Sequence, residues 1–327
     1  MIYREHTSNV KMNNTGAPQG SILSPFLFLV LVSDMEERVA GMEGVRIITY
    51  ADDTTIYAWG DSASEVYQKL SEAGQRILEY MRQSGLAANA EKTNFVMFGD
   101  GMGSIAIGDV QVEKSKEEKL VGVWLSSSLS WEKNIQEVES CLKQRIGLLR
   151  RLSWHLPRDT MKKCITPMFT SKLAFGLELM TDPLKHQNKN EPNCAPIVRL
   201  QKLLNEAVRV SLGIRRIERV SENELMRRSG QISVCSMAAR AIANIAWSSF
   251  STQGKRDYSE LAKRIEWGQR GRTTRQSDKE IVPPQTVKEC LVSKVGQMWN
   301  LLPREIREER NKKSAMAKIK DLFQPIP

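Results

Sequence analysis

Two adjacent aspartates, Asp52 and Asp53, are the side chains in this sequence best placed for metal chemistry. The flanking runs V-R-I-I-T-Y and T-T-I-Y are rich in β-branched residues, so both arms favour strand and the pair falls at a tight connection. Carboxylates held side by side repel each other unless a cation lies between them, and Mg²⁺ is a hard ion that prefers oxygen ligands. Aspartate is also a common turn residue that hydrogen-bonds the nearby backbone. The context of the pair must decide between these two interpretations.

Two further motifs flank the pair along the chain. Upstream lies G-A-P-Q-G-S-I-L-S-P (Gly16 to Pro25), and downstream lies G-L-A-A-N-A-E-K-T-N-F-V-M-F (Gly85 to Phe98). With Y-A-D-D (Tyr50 to Asp53) between them, these motifs resemble, in order and spacing, three consecutive palm motifs of the reverse transcriptases of non-LTR, LINE-like retrotransposons. The segment K-L-V-G-V-W-L (Lys119 to Leu125) resembles the strand that follows in that family, with Val121 where leucine is usual.

The resemblance implies RNA-directed DNA synthesis, with an RNA template, a DNA primer and deoxynucleoside triphosphates as partners. Two Mg²⁺ (or Mn²⁺) ions about 4 Å apart would activate the attacking primer hydroxyl and stabilise the leaving oxygen. The catalytic positions that match the family are Asp52 and Asp53 as metal ligands, with a less direct role for Asp53, and Lys92 as the acid that protonates pyrophosphate. The matching nucleotide- and template-binding positions are Pro18, Gln19, Gly20, Tyr50 and Ala51. Without its flanking motif, Lys92 would be interpreted as an exposed strand lysine.

Some parts of the family's pattern have no counterpart in this sequence. The first palm motif carries a further aspartate on an earlier strand, and the 15 residues before Gly16 contain no acid in that setting. The basic fingers, the endonuclease domain and a C-C-H-C zinc knuckle are also missing. We therefore expect a chain truncated at its N-terminus, with the missing N-terminal half of the element's protein as a further partner. The alternative is an inactive remnant that at most binds RNA or DNA.

The charge of the chain is unevenly distributed. The net charge is +10, yet residues 1–130 contain 11 Lys and Arg against 17 Asp and Glu, which leaves 37 against 21 for residues 131–327. The acidic part contains the aspartate pair, and the basic part is a candidate surface for a polyanion. For any single Lys or Arg, a solvated helix surface is the simpler interpretation.

The cysteines and the apolar runs bear on metal sites, disulfides and the cellular compartment. Five scattered cysteines without C-x-x-C spacing predict neither a zinc site nor a disulfide framework and fit an intracellular reducing compartment, nucleus or cytoplasm. The longest apolar run, Phe26 to Val32, is far short of the roughly 20 residues that cross a bilayer. We therefore expect no membrane partner.

The hydrophobic pattern predicts the α+β fold class. A partial palm at residues 1–125, an antiparallel sheet with helices on one face, is followed by a thumb-like helical region and linker at 126–195 and a basic helical region at 196–327. The palm should contain the aspartate hairpin and a second hairpin around Gly108. Its other predicted elements are a helix from an N-cap at Ser24 through Val39 with its apolar run buried under the sheet, a helix from a capping box at Ser62 to Gly85, and strands at Thr93–Phe98 and Leu120–Leu125.

Beyond Ser130 the pattern becomes helical. Apolar residues at 135, 138, 142, 146, 149 and 152 form one stripe, and Pro167 should kink the next helix. The remaining predictions are a linker at Thr181–Pro196, a helix at Leu200–Gly213, a capping box at Ser221–Glu224, a helix at Met237–Phe250, a basic loop at Trp267–Gln276 that is as readily a solvated linker as a nucleic-acid contact, and helices from Met298 to Phe323.

Overall fold

The computed structural model describes residues 2–3, 6–7, 16, 20–89, 92–99, 101, 103–108, 110–184, 195–251, 266–267, 281–282 and 290–324. The chain divides into two compact units, Met1–Ser130 and Trp131–Pro327. The first unit mixes helices with short strands and the second is mainly helical, so the predicted combination of helix and strand is confirmed. The division into three domains at 125/126 and 195/196 stays a prediction.

The first unit is built from short strands around one long helix. Its described elements are β1 (Ile2–Tyr3), β2 (His6–Thr7), α1 (Ser24–Val32), a 3₁₀ helix (Met35–Val39), β3 (Val45–Tyr50), β4 (Asp53–Ala58), α2 (Ala63–Gln83), β5 (Phe95–Val96), β6 (Ser104–Ile107), β7 (Val110–Ser115), β8 (Glu117–Leu120) and β9 (Val123–Ser126).

The strands of this unit pair as small separate sheets. The pairs β1–β2, β3–β4 and β8–β9 are antiparallel and two-stranded, and a three-stranded sheet has the order β5–β7–β6. Within that sheet β6 and β7 form the predicted hairpin, with Ile107 opposite Val110 and Gly108 at a φ of 60°. The antiparallel expectation is wrong for β5, which runs parallel to β7. Its partner is distant in sequence, so no local turn signal indicates the pairing.

Helix α2 organises the core of the first unit. Ser62 caps it, accepting a hydrogen bond from Glu65 N at 3.2 Å, as the predicted capping box requires. Val66, near its start, packs with Phe95, Ile105 and Val112 under the three-stranded sheet. Further along, the same helix packs against the base of the β3–β4 hairpin through three buried residues, Ala73, Ile77 and Tyr80. One helix thus supports both sheets.

Helix α1 differs from its prediction in length and in burial. It ends at Val32. Just beyond this point the Tyr80 hydroxyl lies 2.5 Å from both the Leu31 carbonyl and the Asp34 carboxylate. The hydroxyl thus contacts a carbonyl that a continued helix would use for its own backbone hydrogen bond. The hydrogen bond from Tyr80 lowers the pKa of Asp34. Burial under a sheet is wrong for most of the apolar run: Phe26, Leu27, Leu29, Val30 and Leu31 are exposed, whereas Val32 is buried.

Two predicted strands also differ from the structure. The strand expected at Thr93–Phe98 is only β5, two residues long. The segment Leu120–Leu125, expected as one strand, instead contains the end of β8, the turn and most of β9, and Leu120 pairs with Val123. Val121 and Gly122, at φ 47° and 83°, form the turn. A β-branched residue with positive φ is uncommon, so the sequence favours strand at this point.

The second unit is a succession of helices. Its described elements are α3 (Glu132–Leu152), α4 (Arg158–Ile165), a π-helical turn (Thr166–Thr170), α5 (Ser171–Ala174), α6 (Leu177–Met180), α7 (Ala195–Leu212), α8 (Glu222–Ser229), α9 (Val234–Phe250), the antiparallel strands β10 (Glu266–Trp267) and β11 (Ile281–Val282), α10 (Leu291–Leu301), α11 (Arg304–Arg307) and α12 (Lys312–Leu322).

Most of the predicted helical features are confirmed. The stripe on α3 is buried except at Leu152, which is partly exposed. The helix after it is interrupted by the π-helical turn that contains Pro167 and again at Gly176, whose φ is 69°. Ser221 caps α8 by accepting from Glu224 N at 3.3 Å. Most of the predicted linker (185–194) and all but Trp267 of the predicted basic loop lie outside the described residues.

Two hydrophobic clusters fill the second unit, and α9 belongs to both. The first cluster packs α3 to α8 against the start of α9, including Met237 and Ala238. The second packs the rest of α9 against α10 to α12, with the fully buried Trp247 donating from Nε1 to Ile306 O at 3.0 Å. Among the described residues, no helix is long and apolar enough to span a membrane.

Candidate active site

The aspartate pair lies at the tip of the β3–β4 hairpin, as predicted. Tyr50 pairs with Asp53, so Ala51 and Asp52 are the two central residues of the turn. Towards the base of the hairpin, Val45 and Ile47 are buried against α2 and the 3₁₀ helix. Next to the tip, Thr54 Oγ1 lies 3.9 Å from Met35 Sδ. The buried base fixes the position of the exposed tip.

The turn at the tip contains a strained residue. Ala51 has a φ of 52°, in the left-handed region that glycine or asparagine usually fills. Holding an alanine there costs about 1–2 kcal/mol. Such strain persists only where the surrounding structure enforces it, and it clusters at functional sites.

Asp52 and Asp53 are both exposed. Within the described part of the chain, neither carboxylate has an ion pair or a side-chain hydrogen bond, so both are available to a ligand. A cavity of about 510 Å³ adjoins the other end of the hairpin, beside Glu36 and Val45, and not the aspartate pair.

The donor set fits a divalent metal ion in part. Two carboxylates supply the oxygen ligands that Mg²⁺ and Mn²⁺ prefer, and Mg²⁺ commonly takes one or two carboxylates together with waters and phosphates. Among the described residues, no group of three or more His, Cys, Asp or Glu side chains forms a metal site. Successive strand residues point to opposite faces, and Asp53 is the first residue of β4, so the two carboxylates need not hold the same ion.

The pleat of the hairpin separates a packed face from an open one. Because Val45, Ile47 and Thr54 lie on the packed face, alternation puts Tyr50 and Asp53 on the other. We call this second face the outer face; its residues are Arg46, Ile48, Tyr50, Asp53, Thr55 and Tyr57. Ile48, Tyr50 and Tyr57 are exposed there, which leaves apolar and aromatic surface along this face from the acidic tip towards the base.

The structure places the other predicted site residues as follows. Tyr50 and Ala51 adjoin the aspartates on the same hairpin. Lys92 is exposed and precedes β5, with its backbone N–H donating to Asn89 O at 3.2 Å, so the alternative interpretation as a strand lysine is wrong. Gly20 is exposed with a φ of 85°. Pro18 and Gln19 lie outside the described residues. The roles assigned to all of these residues stay predictions.

One cluster, at the base of the outer face, was not predicted from the sequence. The rings of Tyr57 and Trp59 stack with centroids 6.0 Å apart, and the Arg46 guanidinium lies 6.0 Å from the Trp59 ring. The i, i+2 spacing of the two aromatic residues is the sequence feature that could have indicated their contact, since alternate strand residues share a face.

Comparison with known proteins matches the part of the chain that contains this hairpin. Residues 2–125 match the family described as reverse transcriptase (RNA-dependent DNA polymerase). The chain is 27% identical over 198 residues to the RNA-directed DNA polymerase from mobile element jockey of Drosophila melanogaster. This alignment covers 56% of this chain and 21% of that protein. The chain is 24% identical over 188 residues to the Retrovirus-related Pol polyprotein from type-1 retrotransposable element R1 of Nasonia vitripennis, covering 54% and 56% of the two chains. No solved structure gives a significant match.

The aspartate hairpin and its flanking motifs lie within the part of the first unit that matches the reverse-transcriptase family. A third relative, the probable RNA-directed DNA polymerase from transposon X-element of Drosophila melanogaster, is 24% identical over 136 residues, covering 40% of this chain and 15% of that protein. The chain is thus similar to the polymerases of non-LTR, LINE-like retrotransposons, and the predicted resemblance is confirmed. The chain spans 21% of the length of the jockey protein and 56% of the length of the R1 protein.

Proposed function

We propose that this chain serves RNA-directed DNA synthesis, with the β3–β4 hairpin presenting Asp52 and Asp53 to divalent metal at the primer end. The observation that carries the proposal is the pair of exposed, unpaired carboxylates on a strained turn whose base is buried. The first unit would be part of the polymerase palm, the helical region at 126–195 would form the thumb, and 196–327 would be a basic helical region after it.

The chemistry divides between the metal and the residues of this chain. Bound Mg²⁺ or Mn²⁺ would polarise the primer hydroxyl and the phosphate. Asp52 would hold the ion, and Asp53, on the outer face beside Tyr50, would contribute negative charge to the same site. Tyr50 and Ala51 would lie against the primer end and the nucleotide, with Gly20, Pro18 and Gln19 from the upstream motif. Lys92 would supply the proton to the pyrophosphate leaving group.

A second candidate function has its own observation in support. Two-metal catalysis uses carboxylates that bridge both ions, and the described residues include no cluster of three or more potential metal ligands. A chain that binds RNA or DNA through its basic second unit without catalysing synthesis would need no such cluster.

Metal binding and primer extension together separate these functions. Mn²⁺ binding to the full chain and to Asp52→Asn should be measured by water-proton relaxation, and extension of a DNA primer on an RNA template should be assayed with the same two proteins. Glu43→Gln is the matched control, because it removes one negative charge from the same unit away from the hairpin tip.

We expect the parent and Glu43→Gln to bind Mn²⁺ weakly and Asp52→Asn to lose that binding. We also expect the isolated chain not to extend a primer, because a misplacement of about 1 Å can already lower a rate about a hundredfold, and the described residues form no group of three or more ligands that could hold two ions. Extension that disappears in Asp52→Asn would refute this second expectation and establish a complete site. Equal Mn²⁺ binding by all three proteins would reject the metal role and favour the non-catalytic function.

A further inference from the structure

The second unit contains a concave surface lined by cations. A cavity of about 460 Å³ lies beside the C-terminal end of α3, the later half of α7 and residues 213–220 that follow α7. Four cations line it, Arg150, Lys202, Arg209 and Arg216, against one lining carboxylate, Glu206. We call these five residues the basic cluster. Its excess of positive charge makes the cavity attractive to an anion.

The single carboxylate in the cluster does not occupy all the hydrogen-bond donors of the cations around it. One oxygen of Glu206 accepts from both Arg150 and Arg216, the latter at 2.7 Å. A guanidinium has five N–H donors, so sharing one oxygen leaves most donors of both arginines available. The Arg216 side chain is 81% exposed. Lys202 is exposed and has no ion pair with any described residue.

The fourth cation of the cluster holds the neighbouring segment in place. Arg209 donates to the carbonyls of Arg215, Glu218 and Val220 at 3.0–3.3 Å, which ties residues 215–220 to α7. The same segment also exposes the side chains of Arg215 and Arg219. A segment fixed in this way loses less conformational freedom when it binds a ligand than a mobile one would.

We propose that the basic cluster binds phosphates of a nucleic-acid backbone. Arginine pairs with phosphate through two parallel N–H bonds, and a cavity with several cations and one displaceable carboxylate suits that ligand. The surrounding unit has a surplus of 16 positive charges over residues 131–327, which would draw a polyanion to it. The proposal rests on the proposed function for the identity of the nucleic acid as template or primer.

The test compares two double variants of the full chain that change the net charge equally. Lys202→Gln with Arg216→Gln alters the basic cluster, and Lys313→Gln with Lys320→Gln alters exposed lysines on α12. Affinity for a fluorescent RNA–DNA hybrid is measured by anisotropy over a series of salt concentrations. Each phosphate contact contributes about 0.9 to the slope of log affinity against log salt on duplex DNA.

We expect the basic-cluster variant to lower the slope by about 2 and the affinity at least tenfold, whereas the α12 variant changes both much less. Glu206→Gln should instead tighten binding, since it removes the carboxylate that competes with phosphate for Arg150 and Arg216. Glu305→Gln, at an exposed position on α11, is its control. Lys202→Gln alone, against Lys313→Gln alone, repeats the comparison without disturbing any described ion pair.

Equal losses in the two double variants would mean that net charge alone governs binding and would overturn the basic cluster as a site. That result would leave the proposed function standing, because the hybrid would still bind. If the parent chain bound no hybrid at all, both the cluster and the use of a template would be rejected.

Discussion

The backbone of Ala51 shows how much structure one residue at the hairpin tip requires. Glycine would adopt its φ of 52° without strain, yet alanine occupies the position. The buried contacts of Val45 and Ile47 at the hairpin base hold the turn in that conformation. The tip of the hairpin therefore depends on packing three to five residue pairs away, and not on a favourable turn sequence.

A residue-scale prediction concerns the dependence of stability on pH at Glu224. Hydrogen bonds from Arg227 and then Arg228, at 2.8 and 2.5 Å, lower the pKa of Glu224 from 4.5 to about 2. Because the folded-state pKa is below the unfolded value, this group stabilises the fold above pH 4.5 and loses that contribution as the pH falls towards 2. Glu224→Gln should thus be less stable than the parent at pH 6, with a difference that shrinks at pH 3.

The measurement is urea unfolding of both proteins at several pH values. The double variant Arg227→Gln with Arg228→Gln removes the partners and is the control, since Glu224 then lacks the hydrogen bonds that lower its pKa. A difference between parent and Glu224→Gln that stays constant from pH 6 to pH 3 would contradict the assignment.

At the scale of elements, alanine substitutions at two glycines should change the stability of the protein in opposite directions. Gly213 ends α7 with a φ of 69°, and an added Cβ would lie 2.2 Å from the Arg158 guanidinium carbon. Gly213→Ala should destabilise the protein by about 1–2 kcal/mol, because alanine is strained in the left-handed region. Gly147 lies inside α3 with nothing within 4 Å of its added Cβ, so Gly147→Ala should stabilise the protein by about 0.5–1 kcal/mol.

Thermal or urea unfolding of the two variants decides this pair of predictions. They make the same chemical change, so a difference in sign isolates the backbone conformation of each glycine. Destabilisation by both would indicate that crowding around α3, and not helix propensity, governs position 147.

The elements that were predictable share a strong local signal. The spacing of apolar residues on α3 and the capping box of α2 each specify an element from nearby residues. The helix α1 lacked such a signal: an all-apolar run does not indicate which side is packed, and its exposed residues were wrongly predicted as core. The hairpin at Val121 was missed because its turn uses a residue type that disfavours positive φ.

The candidate site was predictable to a similar extent. Residue order and spacing identified the aspartate hairpin, and the structure places Asp52 and Asp53 at its tip. The basic cluster was not predicted, because Arg150 on α3 lies near Lys202, Arg209 and Arg216 only through the packing of α3 with α7 and the segment that follows. Such a cluster depends on contacts between elements, which a local pattern does not contain.

At the scale of the whole molecule, the exposed apolar side of α1 predicts self-association. Five large apolar side chains are exposed on one nine-residue helix, and contiguous apolar patches promote aggregation or binding. The double variant Leu27→Ser with Val30→Ser should stay monomeric at higher concentration than the parent, with little change in unfolding temperature. Val32→Ser, in the buried position of the same helix, should lower the unfolding temperature instead.

Analytical ultracentrifugation over a concentration series, together with a thermal melt of each variant, tests this prediction. Identical sedimentation of the parent and the double variant at every concentration would exclude α1 as the surface responsible.

Among the described residues of the second unit, helix α9 contributes to two hydrophobic clusters. Met237 and Ala238 pack in the first cluster and Ala243 and Trp247 in the second, within three turns of the same helix. Neither cluster can lose its packing without exposing part of a helix that the other needs. The two clusters should therefore unfold as one cooperative transition, and an amide of α9 should exchange with solvent only when the whole helical unit opens.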